Sequence, residues 1–157
     1  MSGRWSARLA ELGIALPDLV PPLAAYVPAT QVGDLVYTSG QLPIAAGELV
    51  ARGKVAENAE GLVHLDDAVA AARQCALNAL AAVHALVGID TVIRIVKVTG
   101  FVASAPGFSN QAAVLNGASL LLGEIFGDAG RHVRSAVGVA ELPLGAPVEV
   151  ELTVQVG

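Results

Sequence analysis

The nine residues before the terminal glycine alternate strictly between apolar and polar side chains. The apolar positions are Val148, Val150, Leu152, Val154 and Val156, and the polar ones are Glu149, Glu151, Thr153 and Gln155. A period of two places all apolar side chains on one face of a β-strand and all polar ones on the other. Such a strand is stable only when its apolar face packs against another layer. The pattern therefore requires a sheet that is covered on one side.

The rest of the chain supplies the covering layer and further strands. Apolar residues at three- and four-residue steps predict a helix from the N-cap Asp66 to a stop at Gly88, and a second helix is predicted over Phe108–Phe126. Further strands are predicted at Tyr26-Val27, Leu35–Thr38, Val92–Val102 and His132–Glu141, with a loop over Ser39–Gly61. Pro143 and Gly145 predict a turn that would pair the last two strands as an antiparallel hairpin.

These elements follow one another in the order β-β-α-β-α-β-β. The order predicts an α+β sandwich in which the helices pack on one face of a mixed sheet. The length of 157 residues predicts a single domain over 1–157, in which residues 1–21 form an N-terminal arm or short helix.

The composition limits the class of protein further. Hydrophobic residues make up 54 % of the chain and charged residues 15 %, against about 25 % charged in a typical soluble domain. The stretch between Lys97 and Glu124 lacks charge, but Pro106-Gly107 and Asn116-Gly117 disfavour a membrane span there. No signal peptide is evident, and a net charge of −5 disfavours a nucleic-acid surface. The apolar surplus predicts a cytoplasmic protein with a large contact between subunits.

Several kinds of chemistry have no motif in the sequence. Cys75 stands alone, so no disulfide or cysteine-based metal site can form within one chain, and its place in the first long helix predicts a core residue. His84 is predicted to be a partly buried or surface residue of the same helix. The histidines lack zinc-motif spacing, no phosphate-binding glycine loop is present, and Thr38-Ser39-Gly40 lacks the elbow of serine hydrolases.

Arg134 is the most informative charged residue. Its predicted strand places it on one face with Ala136, Gly138 and Ala140, and these small neighbours leave open space around a guanidinium. Such an arginine either pairs with an acid or binds an anionic ligand through two parallel hydrogen bonds. On the predicted hairpin, Glu149 could approach the same pocket, where a carboxylate could position or deprotonate a water molecule.

Several segments give the chain a specific resemblance to a known family. They are Thr38-Ser39-Gly40-Gln41-Leu42-Pro43, Val133-Arg134-Ser135-Ala136-Val137, Leu142-Pro143 and Val148-Glu149-Val150. In these segments the chain resembles the Rid family, the YjgF-like reactive-intermediate deaminases that are also called the L-PSP or translation-inhibitor family. The resemblance implies a chorismate-mutase-like fold and a homotrimer, in which the sheets form a central barrel and clefts lie between neighbouring subunits.

The resemblance also implies roles for individual residues. Arg134 would clamp the carboxylate of a 2-imino acid, and Glu149 would activate the attacking water. Tyr26 and Asn116 match cleft residues of the family, and Ser39 and Gly40 fall in the loop that lines the cleft. No metal or organic cofactor is implied. His132 departs from the family pattern, which usually has proline or alanine at that position.

Three functions remain open at this point. The first is hydrolytic deamination of reactive 2-imino or 2-enamino acids to 2-oxo acids and ammonium. The second is non-catalytic binding of a small molecule by a regulatory member of the family. The third is the endoribonuclease activity ascribed to some relatives, which the acidic composition disfavours.

Overall fold

A computed structural model of the chain describes residues 3–22, 24–57, 60 and 62–157. Its helices are α1 (Arg4–Glu11), α2 (Leu65–Val87) and α3 (Gln111–Phe126). Its strands are β1 (Ala29–Val32), β2 (Leu35–Thr38), β3 (Ile44–Ala45), β4 (Glu48–Leu49), β5 (Val92–Ala103), β6 (Val133–Val139) and β7 (Val148–Val156). The predicted order of the main elements is confirmed. The region predicted as a loop additionally contains the short β3–β4 hairpin, and the first strand begins at Ala29 rather than at Tyr26.

The main sheet has five strands in the order β1-β2-β7-β5-β6. β5 and β6 run parallel, and the other neighbouring pairs are antiparallel, so the predicted mixed sheet is confirmed. The predicted hairpin between β6 and β7 is wrong, because β5 lies between them. α3 crosses over the sheet and returns the chain parallel to β5. β6 has β5 as its one neighbour and is therefore an edge strand. The segment through Pro143–Gly145 then carries the chain past β5, and β7 occupies the centre.

The helices α2 and α3 cover one face of this sheet. The apolar residues of β7 all point into the core beneath them, as the alternation predicted. Two glycines permit the close packing. A Cβ atom on Gly100 of β5 would collide with Leu115 of α3, and one on Gly117 of α3 would collide with the Val69 carbonyl of α2. Part of the apolar surplus of the sequence is therefore used in a closely packed layer between helices and sheet.

The helix α2 is the centre of the core. By length and composition it could cross a membrane, but 61 % of its apolar window is buried inside the protein, as in a core helix. Its N-cap is His64 and not the predicted Asp66, which lies in the first turn. Cys75 is fully buried, as predicted, and burial raises the pKa of its thiol well above the ordinary value, so the thiol stays protonated. His84 is exposed, and its Nδ1 accepts a hydrogen bond from the Ile89 backbone.

The N-terminal helix α1 is tied to the end of the sheet. The Asp90 carboxylate accepts hydrogen bonds from the backbone N–H groups of Trp5 and Ser6, at 2.7 and 2.9 Å. The Trp5 indole donates to the Val92 carbonyl at 2.7 Å and stacks edge-on against Phe126, with ring centroids 4.9 Å apart. The predicted arm thus contains a helix that belongs to the core of the protein.

Candidate functional site

Glu149 lies directly beneath the loop that follows β2. Gln41 of this loop exchanges two backbone hydrogen bonds with Val150 of β7, at 2.8 and 3.0 Å. A Cβ atom on Gly40 would collide with the Glu149 carboxylate. Only glycine lets the loop backbone come this close. The predicted cleft residues Gly40 and Glu149 are therefore in contact.

Tyr26 and Gly40 line one pocket, together with Pro28 and Leu42. Ser39 joins the segment that contains Tyr26 to the loop that contains Gly40. Its hydroxyl donates to the Val27 carbonyl at 2.6 Å, and its backbone N–H donates to the Pro28 carbonyl at 2.8 Å. Ser39 thus holds the Tyr26 segment against the loop, and its hydroxyl proton is already used. We name the set Tyr26, Ser39, Gly40 and Glu149 the carboxylate side.

Arg134 lies on the edge strand β6, and its guanidinium is held by hydrogen bonds to α3. Nη1 donates to Asn116 Oδ1 at 2.9 Å and to Ser119 Oγ at 3.1 Å, and Nη2 donates to the Ala112 carbonyl at 3.3 Å. Residues spaced by four and three positions share one face of a helix. The three acceptors therefore form a stripe along α3 that faces β6. We name the set Arg134, Asn116 and Ser119 the guanidinium side.

The positive charge of Arg134 has no carboxylate partner within ion-pair distance in the described part of the chain. Of the two alternatives that the sequence left open, the structural ion pair is thus not formed. A guanidinium has five N–H donors, and three of them are used here. The remaining N–H groups belong to Nε and Nη2. A guanidinium binds a carboxylate through two such N–H groups in two parallel bonds.

Arg134 and Glu149 lie on opposite faces of the sheet. Arg134 is paired with Val98 of β5, and Val98 is paired with Leu152 of β7, so Arg134 shares the helix-covered face. Glu149 alternates with the buried residues of β7 and points to the other face, beside Phe101. The expectation that both groups approach one pocket across a hairpin is wrong within one chain. The alternation within β6 and within β7 predicts the two faces of each strand. It does not predict that β5 lies between these two strands.

The surroundings of Glu149 change its acidity. Partial burial raises the pKa of its carboxyl above the ordinary value, and the negative charge of Glu151 on the same strand face raises it further. A carboxylate whose pKa is raised is a better proton acceptor, and its acid form is still able to return the proton.

The sequence reasoning missed Ser119 of the guanidinium side and its neighbour His132 as site residues. Ser119 accepts from Arg134, and its Oγ lies 2.9 Å from His132 Nε2. His132 Nδ1 lies 2.6 Å from the Gly130 carbonyl. Ser119 follows Asn116 by three positions on a predicted helix, so helical spacing could have found it. His132 was noticed only as a departure from the family pattern.

No three His, Cys, Asp or Glu side chains are grouped as metal ligands within residues 3–22, 24–57, 60 and 62–157.

Comparison with known proteins decides the family. The family model of endoribonuclease L-PSP matches residues 18–156. The chain belongs to this family. The resemblance to the YjgF-like, L-PSP family in the sequence is thereby confirmed. Among curated relatives of this family member, Protein TCP17 of Trypanosoma cruzi is 43 % identical over 162 residues, which cover 98 % of this chain and 95 % of TCP17.

Solved structures of the family share the fold. The protein Atu1372 of Agrobacterium tumefaciens has 42 % identity and a TM-score of 0.85, and the match covers 96 % of this chain and 91 % of that one. The YjgF gene product of E. coli has 28 % identity and a TM-score of 0.61, with coverages of 89 % and 93 %. E. coli TdcF with bound serine has 26 % identity and a TM-score of 0.59, with coverages of 90 % and 93 %. The α+β fold predicted for the family is confirmed.

Proposed function

We propose that this protein hydrolyses reactive 2-imino and 2-enamino acids to 2-oxo acids and ammonium. The observation that carries the proposal is the pair of complementary groups on the sheet. Arg134 is an arginine without a carboxylate partner in the described chain and has two N–H groups left to bind a substrate carboxylate. Glu149 is a half-buried carboxylate with a raised pKa that can serve as the base for water.

We further propose that the complete site forms between copies of the chain in a homotrimer. Within one chain the two groups face opposite sides of the sheet, so one site needs Arg134 of one copy and Glu149 of another. β6 is an edge strand, and its Val133 and Val137 side chains are exposed at 65 % and 44 %. Unpaired edges and exposed apolar side chains are commonly covered by another chain. This contact would also use the remaining apolar surplus of the sequence.

The proposed reaction follows from these positions. Arg134 binds the substrate carboxylate, held in place by Asn116, and this fixes the C=N carbon relative to Glu149. Glu149 accepts a proton from water as the water oxygen bonds to that carbon and the C=N electron pair moves to nitrogen. Glu149 then returns its proton to the nitrogen, which gives a carbinolamine. The hydroxyl proton of this intermediate passes through Glu149 to the amino nitrogen, and the C–N bond breaks as the C=O bond forms. The products are a 2-oxo acid and ammonia, which is released as ammonium.

The other cleft residues have supporting roles in this proposal. Gly40 leaves room for the Glu149 carboxylate, and Tyr26 forms the wall of the adjoining pocket. Ser39 fixes the Tyr26 segment to the loop. The steps as written need no metal or organic cofactor, because an imine is already an electrophile. We expect the protein to act in the cytoplasm, where pyridoxal-phosphate enzymes release such intermediates.

A coupled assay tests the proposal. An amino-acid oxidase or a pyridoxal-phosphate dehydratase generates the imine, and the formation of 2-oxo acid is followed with and without this protein. We expect faster formation with the wild type, no acceleration with Arg134→Ala, and wild-type behaviour with Arg131→Ala, a surface arginine paired with Asp128. A folded oligomer that accelerates no member of an amino-acid panel would contradict the deaminase function.

A non-catalytic binding protein is the second candidate, and the bound serine in the TdcF structure favours it. It predicts a measurable Kd for an amino acid or 2-oxo acid without any turnover. The family description favours an endoribonuclease as a third candidate. The net charge of −5 argues against it, because RNA binding depends on cationic contacts to phosphates. RNA cleavage lost in Arg134→Ala would support that candidate.

A further inference from the structure

Arg134 stands at one end of a chain of hydrogen bonds that continues through Ser119 and His132. The chain runs from Arg134 Nη1 to Ser119 Oγ, from Ser119 Oγ to His132 Nε2, and from His132 Nδ1 to the Gly130 carbonyl. The three distances are 3.1, 2.9 and 2.6 Å. It joins α3, the turn after α3 and the start of β6. We propose that Ser119 and His132 are positioning residues, which set the orientation of the Arg134 guanidinium and so the strength of its carboxylate binding.

The Gly130 carbonyl determines the direction of these hydrogen bonds when the His132 ring is neutral. A carbonyl oxygen can only accept, so His132 Nδ1 carries a proton and donates it to the Gly130 carbonyl. In the neutral ring Nε2 is then an acceptor, and it receives the hydroxyl proton of Ser119. The Ser119 oxygen keeps its lone pairs for the Arg134 N–H. By accepting the hydroxyl proton, the neutral His132 ring orients the lone pairs of Ser119 Oγ towards the guanidinium.

The Gly130 carbonyl is itself held firmly in place. Gly130 is buried in the turn after α3, and a Cβ atom there would collide with the Leu122 carbonyl of that helix. The close approach of the turn to α3 thus fixes the acceptor on which His132 depends. A rigid support of this kind lets a side chain hold the geometry that binding requires.

The chain of hydrogen bonds also determines which N–H groups of Arg134 are available to a ligand. Asn116 and Ser119 use both protons of Nη1, and this holds the guanidinium plane against α3. Nη2 uses one proton for the Ala112 carbonyl, so the Nε N–H and the second Nη2 N–H are left for a ligand. Without Ser119 the guanidinium keeps two partners, Asn116 and the Ala112 carbonyl, and can turn more freely. We expect weaker carboxylate binding and a nearly unchanged chemical step.

This inference rests on the proposed role of Arg134, so the experiment measures binding and turnover separately. The Kd of 2-oxobutanoate is measured by calorimetry, and KM and kcat are measured in the coupled deaminase assay. We expect Ser119→Ala to raise Kd and KM about tenfold, because it removes one hydrogen bond to a charged group. The value of kcat should stay within about twofold, because Glu149 lies apart from the change.

Variants of His132 distinguish positioning from packing. His132→Leu fills the space but removes the acceptor for Ser119, and we expect Kd and KM to rise about threefold to tenfold. His132→Gln keeps an acceptor and should recover most of the loss. His84→Gln and Ser109→Ala, at exposed positions of α2 and of the loop before α3, serve as controls and should behave as the wild type. Oligomer mass and Tm are recorded for every variant.

The double variant Ser119→Ala/His132→Leu gives the sharpest result. Both residues act through the same hydrogen bond to Arg134, so the double variant should resemble Ser119→Ala alone. Multiplied effects, or a lowered Tm with Kd and KM within about twofold of the wild type, would overturn the positioning role. A wild type that binds 2-oxobutanoate without turnover overturns only the deaminase function. A wild type that neither binds nor turns over overturns both proposals.

Discussion

The carboxylate side and the guanidinium side are built in different ways, although both contribute to the candidate site. The carboxylate side depends on close backbone approach, since the loop lies on Glu149 only because Gly40 has no side chain. The guanidinium side depends on directed hydrogen bonds from Arg134 to acceptors on α3. On the carboxylate side, partial burial raises the pKa of the Glu149 carboxyl. On the guanidinium side, neutral acceptors orient the Arg134 guanidinium without neutralising its charge. One chain therefore prepares both groups but holds them apart on opposite sheet faces.

The largest expected effect is the loss of the base on the carboxylate side. Glu149→Gln keeps the size of the side chain but cannot accept a proton, and general base catalysis is worth about 10²–10⁴-fold in rate. We expect kcat to fall by that factor while the Kd of a 2-oxo acid changes little. The control is Glu48→Gln, at an exposed carboxylate of β4. A large rise in Kd with unchanged kcat would assign Glu149 to binding instead.

The next experiment asks whether the two sides meet between copies. Arg134→Ala and Glu149→Gln chains are each expected to be inactive, and they are refolded together in equal amounts. If each site takes one group from each of two copies, about a quarter of the sites in randomly mixed oligomers contain both intact groups. We expect about a quarter of wild-type activity in the mixture. Zero activity, with mixing proved by mass, would show that both groups come from one chain.

A smaller effect is expected from filling the space over Glu149. The added methyl group of Gly40→Ala pushes the carboxylate or the loop aside, and we expect kcat/KM to fall about tenfold to a hundredfold. The matched control is Gly123→Ala on α3, where a Cβ atom meets no neighbour within 4 Å. Equal activity of the two variants would mean that the Gly40 contact does not position Glu149.

The smallest effect concerns the pH dependence of the base. Activity needs the deprotonated form of Glu149, so kcat/KM should rise as the pH passes upward through the pKa of this carboxyl. Burial is the first cause of the raised pKa and the charge of Glu151 is the second. Glu151→Gln removes only the second cause, and the rise in kcat/KM should therefore move to lower pH. An unchanged pH profile would separate Glu149 from the proton transfer.

The sequence reasoning succeeded where local patterns are decisive. β7 has the bounds of the alternating segment, and its apolar residues face the helices as predicted. α2 ends at Val87 and is capped by the predicted stop Gly88, whose backbone angle φ of 83° is readily adopted by glycine. The strand pattern selected Arg134, and the resemblance selected Gly40 and Asn116. The structure brings Gly40 to Glu149 and Asn116 to Arg134. Their catalytic roles remain predictions.

The sequence failed where partners are far apart in the chain. The turn at Pro143–Gly145 resembles a hairpin, but the long β5 strand pairs with both β6 and β7. Arg134 is bound by residues 15, 18 and 22 positions away. Nothing in the pattern of β6 alone indicates that the acceptors of Arg134 lie on α3, or that none of them is a carboxylate.

The sequence by itself determined the order of the main helices and strands, the apolar faces of β7 and α2, and most of the residue types at the site. Alternation and helical spacing are local properties, since they depend only on the backbone repeat. The tertiary structure alone decided the order of the strands, the acceptors of Arg134 and the opposite directions of Arg134 and Glu149. These depend on how the helices and strands pack, because packing selects which strands become neighbours and therefore which side chains can meet.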